Sequence, residues 1–514
     1  PFPDMPDIIV DIDGVEKLLA NINTSKAIGP DGIPNQALKL AATELAPLIT
    51  FIFQQSITSG ELPLDWRRAN ISPIFKKGAT TDPANYRPVS LTCTCCKLLE
   101  HIIDSQLMRH LSKFNIIADN QHAFRKKRSC ETQLILTTHD LLQNLDKKIP
   151  TDVGVLDFSK AFDVIPHKRL LLKLDHYGIR NKTRDWIKSF LTNRSQRVMI
   201  NGTASDWKPV LSGTPQGTVL GPHLFLIFIN DIHKNITSTV RLFADDCLVY
   251  RTITSAEDQH QLQEDLDKLV DWAQTWGMRF NPSKCKSVTI TRRRQGEPTN
   301  YTLMGVDLEE KKDIQYLGVH IQHDLRWNKQ TAHATSKATR VLNFIRRNFH
   351  HCTPHVKEKL YMTLVRPHLE YASASWDPYT KKNIHAIERV QNRAARFVSN
   401  TYGENTSITA ILKELKWTAL EDRRKCHRLT CFLKMLNGNL DIKHEDFIQP
   451  KIDRNRRGHS IQYQQLHTNS EAFANSFFVR TTTEWNKLLQ STVDQPSLHT
   501  FQNALAKDPS VLRG

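Results

Sequence analysis

Two adjacent carboxylates, Asp245 and Asp246, stand between two apolar runs of this sequence. The run before them, residues 239–243, favours a β-strand, and residues 247–250 form a second apolar run. Adjacent carboxylates repel each other, so a turn between two strands would be stabilised by a cation that neutralises the pair. The alternative is a solvated turn, because Asp is a common turn residue. The pattern therefore indicates a divalent metal site at a hairpin.

A third carboxylate, Asp157, ends another predicted strand. The short run at residues 153–156 is apolar and partly β-branched, and helix-like sequence follows Asp157 directly. We therefore expect Asp157 at a strand end, where its side chain can converge with Asp245 and Asp246. Three carboxylates could hold two Mg²⁺ ions, because Mg²⁺ prefers a few carboxylates together with substrate phosphates.

Such a pair of Mg²⁺ ions suits phosphoryl transfer, and Mn²⁺ could replace them. In the two-metal scheme one ion lowers the pKa of an attacking hydroxyl while the other stabilises the leaving oxygen, with the ions roughly 3.5–4 Å apart. In a polymerase, the attacking group would be the 3′-hydroxyl of a primer.

Three ordered motifs around these acids resemble those of reverse transcriptases. The segment LDFSKAFD at residues 156–163 resembles the first catalytic motif of that family, and FADD at residues 243–246 resembles its aromatic-x-Asp-Asp motif. Between them, the run from Gly213 to Pro222 resembles the PQG motif in the long form typical of non-LTR retrotransposons. The order and spacing of the three motifs agree with the same family.

Further segments upstream resemble the finger motifs of these enzymes. They are residues 25–34, 73–78, 85–91 and 121–125, with Arg128 and Ser129. The motifs taken together resemble those of the Jockey-type branch of LINE elements, and the resemblance extends from about residue 22 to residue 400. The resemblance implies an RNA-directed DNA polymerase whose partners are template RNA, primer DNA, the RNA–DNA duplex and deoxynucleoside triphosphates, with no membrane partner.

The resemblance also assigns catalytic roles. Asp157, Asp245 and Asp246 would be the catalytic, metal-binding acids, and the backbone carbonyl of Phe158 would be an additional metal ligand. Lys284 would protonate the leaving pyrophosphate, since general acid catalysis needs a mobile donor near the phosphates. A solvated loop lysine is the alternative for Lys284.

Five residues would bind or select the nucleotide. Arg87 would contact the triphosphate, because a guanidinium matches phosphate oxygens and keeps its charge. Lys76 is a second candidate, with an ordinary basic turn as the alternative. Gln216 and Gly217 would position the nucleotide and the template base, since glycine permits close backbone approach. Phe162 would exclude a ribose 2′-hydroxyl, unless it is simply a core residue.

Two other segments receive roles by the same resemblance. Tyr316, Leu317 and Gly318 resemble the primer-grip turn that places the primer 3′ end against the metals. Asp163 ends the first motif, in the helical turn that follows Asp157, and it could be a structural cap or a salt-bridge partner instead of a catalytic acid.

The charge of the chain favours a nucleic-acid partner. Lys and Arg number 70 against 53 Asp and Glu, which gives a net charge of +17 and a pI near 9.4. Such a basic balance is typical of nucleic-acid binders. Residues 321–400 contain 14 Lys or Arg against 5 Asp or Glu, a net charge of +9, so more than half of the excess lies in this segment.

The basic segment at residues 321–400 predicts three helices, each with one apolar face. The apolar faces are predicted from Ala338, Val341, Leu342, Ile345 and Phe349 on the first helix, from Val356, Leu360 and Leu364 on the second, which begins at Thr353 and Pro354, and from Ile387, Val390, Ala394 and Phe397 on the third. The nucleic-acid-binding arginines expected on the other faces are Arg340, Arg347, Arg389, Arg393 and Arg396. A charged helix face is usually only solvated, but three basic helices after a polymerase palm fit a thumb that binds a duplex backbone irrespective of sequence.

The length of 514 residues exceeds a single core of about 250–300 residues and predicts two or more domains. We expect an α+β fold with the right-hand polymerase architecture of fingers, palm and thumb, followed by a mostly helical C-terminal region. The expected ranges are residues 1–150 for an N-terminal extension and fingers, 151–320 for the palm with the remaining finger segments, 321–400 for the thumb, and 401–514 for a C-terminal region whose role the residues do not indicate.

The cysteines indicate a reducing environment. Nine cysteines without framework spacing favour an intracellular, non-secreted protein, and cytoplasm and nucleus are expected for a retroelement polymerase. Cys93, Cys95 and Cys96 are interpreted as buried or idle thiols. Outside the motifs, residues 292–298 predict an exposed loop and residues 451–458 a basic polar stretch.

Cys426, His427 and Cys431 hint at a metal knuckle near the C-terminus. A structural zinc site, however, requires four ligands at recognisable spacing, and no second pair follows them in the sequence.

Other readings of the chain stay open at this level. It could be a decayed or domesticated copy that binds RNA without polymerising, or, more distantly, a relative of group II intron maturases. The chain begins with Pro1 instead of Met, so we expect a fragment or the product of a truncated gene copy. Jockey-type elements carry an apurinic-type endonuclease before the polymerase, and target cleavage is therefore expected to come from elsewhere.

Overall fold

The chain folds as a mixed α/β protein, which agrees with the predicted class at that level. The computed structural model describes residues 2–293, 300–403, 406–451, 459–508 and 511. The greater part of the predicted loop at residues 292–298, and all but the first residue of the basic stretch at 451–458, lie outside the described residues.

The first 150 residues are mainly helical. Their elements are α1 (Ile12–Ala20), α2 (Asn35–Leu40), α3 (Ala42–Ser59), β1 (Arg68–Phe75), β2 (Tyr86–Leu91), α4 (Thr94–Lys113) and α5 (Cys130–Asp146). α5 begins with a capping box, in which the Ser129 hydroxyl accepts from the backbone N–H of Thr132 and the Thr132 hydroxyl accepts from the backbone N–H of Ser129. It is buried on nearly all sides, as is typical of a helix inside a large core.

Residues 151–322 contain most of the strands. The elements are β3 (Thr151–Leu156), α6 (Ala161–Val164), α7 (His167–His176), α8 (Asn181–Leu191), β4 (Arg194–Ile200), β5 (Thr203–Ala204), β6 (Lys208–Val210), α9 (Leu220–Ile229), β7 (Thr239–Phe243), β8 (Asp246–Thr252), α10 (Ala256–Trp276), β9 (Lys286–Ile290), β10 (Thr302–Leu303), β11 (Val306–Asp307), β12 (Glu309–Glu310), β13 (Asp313–Tyr316) and β14 (Val319–Gln322). The predicted strand before Asp157 and the predicted hairpin at residues 239–250 are both confirmed.

A five-stranded sheet in the order β12-β9-β3-β8-β7 forms the centre of the fold. β3 is antiparallel to both of its neighbours, so Val153 lies opposite Tyr250 on one side and Val288 on the other. α5 packs on β3 and β7, and α10 packs on β8. Because helices cover the sheet, five of the six residues of β3 are buried and the sixth, Val155, is half-buried, so burial does not alternate along the strand.

A second sheet has the order β2-β1-β4-β5, with β6 also paired to β4. β1 is antiparallel to β2 and parallel to β4. This sheet carries Arg87 on β2, where Arg87 lies opposite Ile74.

The basic segment at residues 321–400 is helical, as predicted. Its elements are α11 (Asn328–Asn348), α12 (Pro354–Leu360), a π-helical turn (Tyr361–Val365), α13 (Arg366–Glu370), α14 (Ser373–Trp376) and α15 (Lys381–Ser399). The predicted apolar faces of the first and third helices are confirmed, because Ala338, Leu342, Ile387 and Val390 are buried.

The predicted apolar face of the second basic helix is wrong. Val356 and Leu364 are exposed, and the buried side chains are Lys357, Tyr361 and Val365. Tyr361 stacks on Trp417 with 4.5 Å between ring centroids and donates its hydroxyl to Gln391 at 2.9 Å. The inward face of this helix is therefore the one that buries the large ring of Tyr361 and pairs its hydroxyl, and of the predicted row only Leu360 packs partly against the core.

The C-terminal region packs around α5. Its elements are α16 (Ile408–Glu414), α17 (Leu420–Leu436), α18 (Glu471–Ala474), α19 (Phe477–Trp485), α20 (Gln490–Val493) and α21 (Leu498–Leu505). The ring of His139 on α5 contacts the rings of Phe447, Phe473 and Phe478. At the end of α5, Asp146 accepts hydrogen bonds from the backbone and side chain of Asn469.

Within the described part of the chain, every helix is too short or too polar to cross a lipid bilayer.

Candidate active site

The three predicted acids lie at one edge of the central sheet. Asp157 follows the last residue of β3, Asp245 lies in the turn between β7 and β8, and Asp246 is the first residue of β8. β3 and β8 are neighbours, with Leu156 opposite Cys247. The end of β3 and the start of β8 therefore meet at the same place, and the pairing brings together carboxylates that are 88 residues apart in sequence.

The acids line a cleft of about 1340 Å³. Ten of the residues with predicted roles line this cleft: Lys76, Arg87, Asp157, Phe158, Phe162, Gln216, Gly217, Asp245, Asp246 and Lys284. The cleft also includes residues of both sheets, so it lies between the central sheet and the β2-β1-β4 sheet.

The cleft has an excess of negative charge at the acids. The pKa of Asp246 is raised to about 6, mainly by desolvation and to a smaller extent by repulsion from Asp245 and Asp157. The pKa of Asp245 is also raised, by desolvation first and by Asp157 among the charges, while Lys76 and Arg87 oppose the shift. Side chains that repel one another in this way are the expected environment of a bound cation.

Asp157 is fixed through its backbone. Its carbonyl accepts a hydrogen bond from the backbone N–H of Asn281 at 2.8 Å, and its N–H points to the sulfur of Cys285 at 3.3 Å. The ring of the next residue, Phe158, stacks on Phe280 with 4.2 Å between centroids. These contacts dock the segment before β9 against the end of β3.

Lys284 lies in that docked segment, and its ammonium group is 3.4 Å from Asp157 Oδ2. Both side chains are partly exposed to the cleft. A solvated loop lysine would point away from the site, whereas this one lies against a candidate metal ligand. The position is compatible with a proton donor near the phosphates, although its role stays a prediction.

Gln121 holds the turn that carries the acidic pair. Its side-chain carbonyl accepts from the N–H of Ala244 at 3.0 Å, and its amide nitrogen approaches the carbonyl of Ala244 at 3.4 Å. Ala244 has a φ of +55°, a left-handed conformation that a non-glycine residue adopts only when its surroundings require it. Gln121 is 1% exposed, so this pairing is shielded from water.

The backbone around Gln121 strengthens this attachment. Leu242 on β7 donates to the carbonyl of Asn120 at 2.8 Å, and its own carbonyl accepts from the N–H of His122 at 3.0 Å. The sequence analysis assigned residues 121–125 to a motif without a role. Gln121 lies in the short polar run at residues 119–122, and such a run does not reveal a partner 123 positions away.

The PQG loop is docked on the helical turn α6. The N–H of Thr214 donates to the carbonyl of Phe162 at 2.8 Å, and the hydroxyl of Ser212 donates to the carbonyl of Asp163 at 2.8 Å. Gly213 has a φ of +81°, and a Cβ there would lie 2.6 Å from these two carbonyl oxygens. Only glycine fits this approach.

Asp163 contacts Gln216 and thereby gains a structural explanation. The amide of Gln216 donates to Asp163 Oδ1 at 2.9 Å, and the backbone carbonyl of Gln216 accepts from the N–H of Ser90 at 2.7 Å. Asp163 thus orients a residue of the cleft, as a hydrogen-bond partner instead of the predicted cap.

Phe162 combines the two predicted alternatives. Its ring stacks on Phe225 with 4.3 Å between centroids, yet the side chain is only half-buried and lines the cleft. The ring therefore packs against the core while the residue also borders the cleft, and its role in sugar selection stays a prediction.

Glu100 is a buried acid that the sequence analysis missed. Its carboxylate accepts from the N–H groups of Val219 and Leu220 at 2.7 and 3.1 Å, which caps the start of α9 directly after the PQG loop. Glu100 is fully buried, and this burial raises its pKa to about 7. A carboxylate inside α4 gives no local sign that it caps a helix more than 100 residues away.

The predicted primer-grip residues lie beside the cleft. Tyr316, Leu317 and Gly318 are not among the described residues that line it, but the hydroxyl of Tyr316 accepts from Gln133 at 3.2 Å. Leu317 accepts a hydrogen bond from the hydroxyl of Tyr371 at 3.0 Å. The turn is therefore held by α5 on one side and by the basic helical segment on the other.

The predicted nucleic-acid-binding arginines lie on the outer faces of α11 and α15. Arg340, Arg347, Arg389 and Arg393 are exposed, whereas Arg396 is half-buried and points to the carbonyl of Thr406 at 3.4 Å. These residues do not line the cleft among the described residues. The structure thus presents four of the five to solvent and gives the fifth a contact within the protein.

Residues 74–321 match the family of reverse transcriptases, or RNA-dependent DNA polymerases. This range contains the acids, the PQG loop and the turn at Ala244 that Gln121 holds. The match covers 248 of the 514 residues, and over that range it confirms the resemblance inferred from the motifs.

Several proteins that are similar to this chain come from mobile elements. The RNA-directed DNA polymerase from mobile element jockey of Drosophila melanogaster is 28% identical over 412 residues, covering 77% of this chain and 44% of that protein. The probable RNA-directed DNA polymerase from transposon X-element of the same species is 27% identical over 431 residues, covering 80% and 46%. The Pol polyprotein from type-1 retrotransposable element R1 of Bradysia coprophila is 23% identical over 358 residues, covering 68% and 34%. The chain spans less than half the length of these relatives.

Proposed function

We propose that this chain is the polymerase part of a non-LTR retrotransposon protein and extends a primer 3′-hydroxyl on an RNA template. The observation that carries the proposal is the convergence of Asp157, Asp245 and Asp246 on one cleft, where desolvation, together with repulsion between the carboxylates, raises the pKa of Asp245 and Asp246. The named relatives of the chain are RNA-directed DNA polymerases, which supports the same activity.

The acids fit two Mg²⁺ ions, with Mn²⁺ as a possible replacement. Their oxygen ligands are those that Mg²⁺ prefers, and the wide cleft leaves room for substrate phosphates and water as the other ligands. Phe158 borders the same cleft, and its backbone carbonyl is proposed as an additional ligand. When bound, the metals would activate the primer hydroxyl and stabilise the leaving oxygen.

The other residues of the cleft bind and orient the substrates. Arg87 and Lys76 supply positive charge opposite the acids, where the triphosphate would lie. Gln216, oriented by Asp163, would contact the nucleotide and the template base. Lys284, 3.4 Å from Asp157, would deliver a proton to the departing pyrophosphate.

We assign the architecture on the same basis. The central sheet with α5 and α10 would be the palm, the β2-β1-β4 sheet with its neighbouring helices the fingers, and α11 to α15 the thumb. The turn at residues 316–318 would then be the primer grip between palm and thumb. The arginines on α11 and α15 would contact the backbone of the RNA–DNA duplex.

Primer extension tests the activity directly. The full chain is given an RNA template, an annealed DNA primer, deoxynucleotides and Mg²⁺, and extension is expected. Replacement of both acids, Asp245→Ala with Asp246→Ala, should abolish it, while Asp271→Ala on the exposed face of α10 should not. Extension that survives the double replacement would refute the assignment of the acids.

An inactive but folded wild-type chain would favour the decayed-copy alternative. Filter binding of the same primer–template then distinguishes an RNA-binding relic from a protein with neither function. No observation here favours the maturase alternative, since the named relatives belong to mobile elements.

A further inference from the structure

Three side chains with metal-ligating atoms meet at the start of α5, away from the cleft. Glu131 is the second residue of α5, and His427 and Cys431 lie four residues apart on α17, where this spacing places them on one helix face. Almost 300 residues separate the carboxylate from the other two in sequence. The two helices therefore bring together a carboxylate, an imidazole and a thiol that no local motif contains.

The distances between the ligating atoms fit a tetrahedral zinc site. His427 Nε2 is 3.0 Å from Glu131 Oε2, Cys431 Sγ is 3.7 Å from His427 Nε2, and Cys431 Sγ is 4.0 Å from Glu131 Oε2. Usual zinc bond lengths, about 2.3 Å to sulfur and about 2.0–2.2 Å to nitrogen or oxygen, place tetrahedral ligands about 3.3–3.7 Å apart. The three observed edges lie on both sides of that range, so movements of a few tenths of an ångström suffice.

An ion pair between Glu131 and His427 accounts for only one of these edges. The sulfur of Cys431 is buried beside apolar core residues such as Phe432, and it also lies within 4.0 Å of both polar groups. Cys426, one residue before His427, is half-buried and lies outside the group. Of the two cysteines on α17, only Cys431 therefore belongs to the group of potential ligands.

The surroundings of the cluster resemble those of metal ligands. The N–H of Ala374 donates to Glu131 Oε1 at 3.2 Å, which fixes the carboxylate and leaves Oε2 directed at Cys431. Ligating carboxylates are commonly held by such outer contacts. The His427 side chain is 42% exposed, so water can reach a fourth coordination position.

We propose that Glu131, His427 and Cys431 bind one Zn²⁺ ion that fastens α17 to the start of α5. Binding would displace the thiol proton of Cys431 and any proton on His427 Nε2 into solvent, and water would complete the tetrahedron. Thiolate and imidazole select Zn²⁺ over Mg²⁺, so the site is chemically distinct from the oxygen-only cleft. The inference does not depend on polymerase activity.

Cobalt titration of the full chain without Mg²⁺ tests the proposal. Co²⁺ alone is the probe, because a cobalt–thiolate bond produces near-ultraviolet charge-transfer absorption that oxygen ligands do not. We expect this absorption to saturate at one equivalent, to disappear on addition of Zn²⁺ and to resist a large excess of Mg²⁺. The combined Asp245→Asn and Asp246→Asn variant should behave as the wild type.

Two cysteine variants provide the decisive comparison. Cys431→Ser should abolish the charge-transfer absorption, whereas the matched control Cys426→Ser should retain it. Glu131→Gln, which keeps an acceptor for Ala374, should weaken cobalt binding by about tenfold or more. Absence of the absorption in the wild type, or its persistence in Cys431→Ser, overturns the proposal.

Thermal unfolding supplies a readout that does not depend on absorption. Zn²⁺ should raise the Tm of the wild type and of Cys426→Ser but not that of Cys431→Ser, because only a ligand that binds the folded state stabilises it. If Cys431→Ser does not fold, His427→Gln is measured in its place. An equal response of all variants to Zn²⁺ would reduce the cluster to an ion pair beside a buried thiol.

Discussion

The side-chain amide of Gln121 is paired with both backbone polar groups of Ala244, the residue that immediately precedes the acidic pair. The N–H of Ala244 donates to Gln121 Oε1 at 3.0 Å, and Gln121 Nε2 lies 3.4 Å from the carbonyl of Ala244. The same Oε1 also accepts from the N–H of Ala123 at 2.9 Å. One buried amide thus pairs with the backbone N–H and carbonyl of Ala244 in the turn. It thereby fixes the backbone position at which Asp245 follows β7.

Replacing Gln121 by Met should therefore impair catalysis more than nucleotide binding. We expect the rate of primer extension at saturating nucleotide to fall by about tenfold or more, because a small displacement of catalytic groups is costly, while KM changes little. The unpaired N–H of Ala244 should also lower the free energy of unfolding by about 1–3 kcal/mol. Steady-state extension and denaturant unfolding measure the two effects.

Gln143→Met, at a half-buried position on α5, is the matched control. A Gln121→Met enzyme with normal kcat and a raised KM would show that Gln121 does not position the acids.

Glu100 makes the stability of the fold depend on pH in an unusual direction. Burial raises its pKa to about 7, so between that pH and about 4.5 the folded chain binds a proton that the unfolded chain does not. The contribution of Glu100 to the free energy of unfolding therefore rises as the pH falls through this window. It is lost as the pH rises through the folded-state pKa.

Glu100→Gln removes this titration. The free energy of unfolding of the wild type minus that of the variant should increase by on the order of 2–3 kcal/mol when the pH is lowered from about 8 to about 5. Denaturant unfolding at several pH values measures the difference, with Glu44→Gln on the exposed face of α3 as the control. A difference that does not change with pH would contradict the buried titration.

Phe162 is expected to control sugar selection. Phe162→Ala should open the side of the cleft next to the PQG loop and raise ribonucleotide incorporation relative to deoxynucleotide incorporation. Phe162→Tyr keeps the ring that stacks on Phe225 and should keep the discrimination. The ratio of kcat/KM for the two sugars is the measurement, and an unchanged ratio in Phe162→Ala would make Phe162 a core residue only.

The arginines of α11 and α15 should differ in what they contribute. Arg389→Ala with Arg393→Ala should weaken primer–template binding for every sequence and reduce the slope of log K against log salt by about 0.7–0.9 per lost contact. Arg396→Ala should change this slope less, because Arg396 is half-buried and points to Thr406. Fluorescence anisotropy over a salt series measures the slopes, and an equal change per replaced arginine in the two variants would refute the distinction.

The sequence predicted those parts of the site whose residues lie within a few positions of one another in the chain. Strand, turn and acid follow one another within a few residues at Asp157 and at Asp245, so the hairpin and the strand end could be read directly. The faces of α11 and α15 followed from their periodicity. The face of the intervening helix did not, because Tyr361 found a ring partner at Trp417 that periodicity does not encode.

The supporting contacts could not be predicted in the same way. Gln121 and Glu100 act on backbone groups more than 100 residues away, and a buried polar residue carries no mark of its partner. The proposed zinc site illustrates the same limit, since its third ligand, Glu131, lies on α5 and far in sequence from His427 and Cys431. Long-range pairing, and not secondary structure, separates the motif pattern from the finished site.

α5 has a consequence for how this protein can be divided. The reverse transcriptase match ends at residue 321, yet α5 within it is enclosed by later residues, with Phe473 and Phe478 against His139 and Asn469 on Asp146. A fragment trimmed to the matched range would expose the face of α5 that these later residues cover, while the face on β3 and β7 would stay covered. Residues that carry no catalytic motif therefore complete the core around the helix that supports the catalytic sheet.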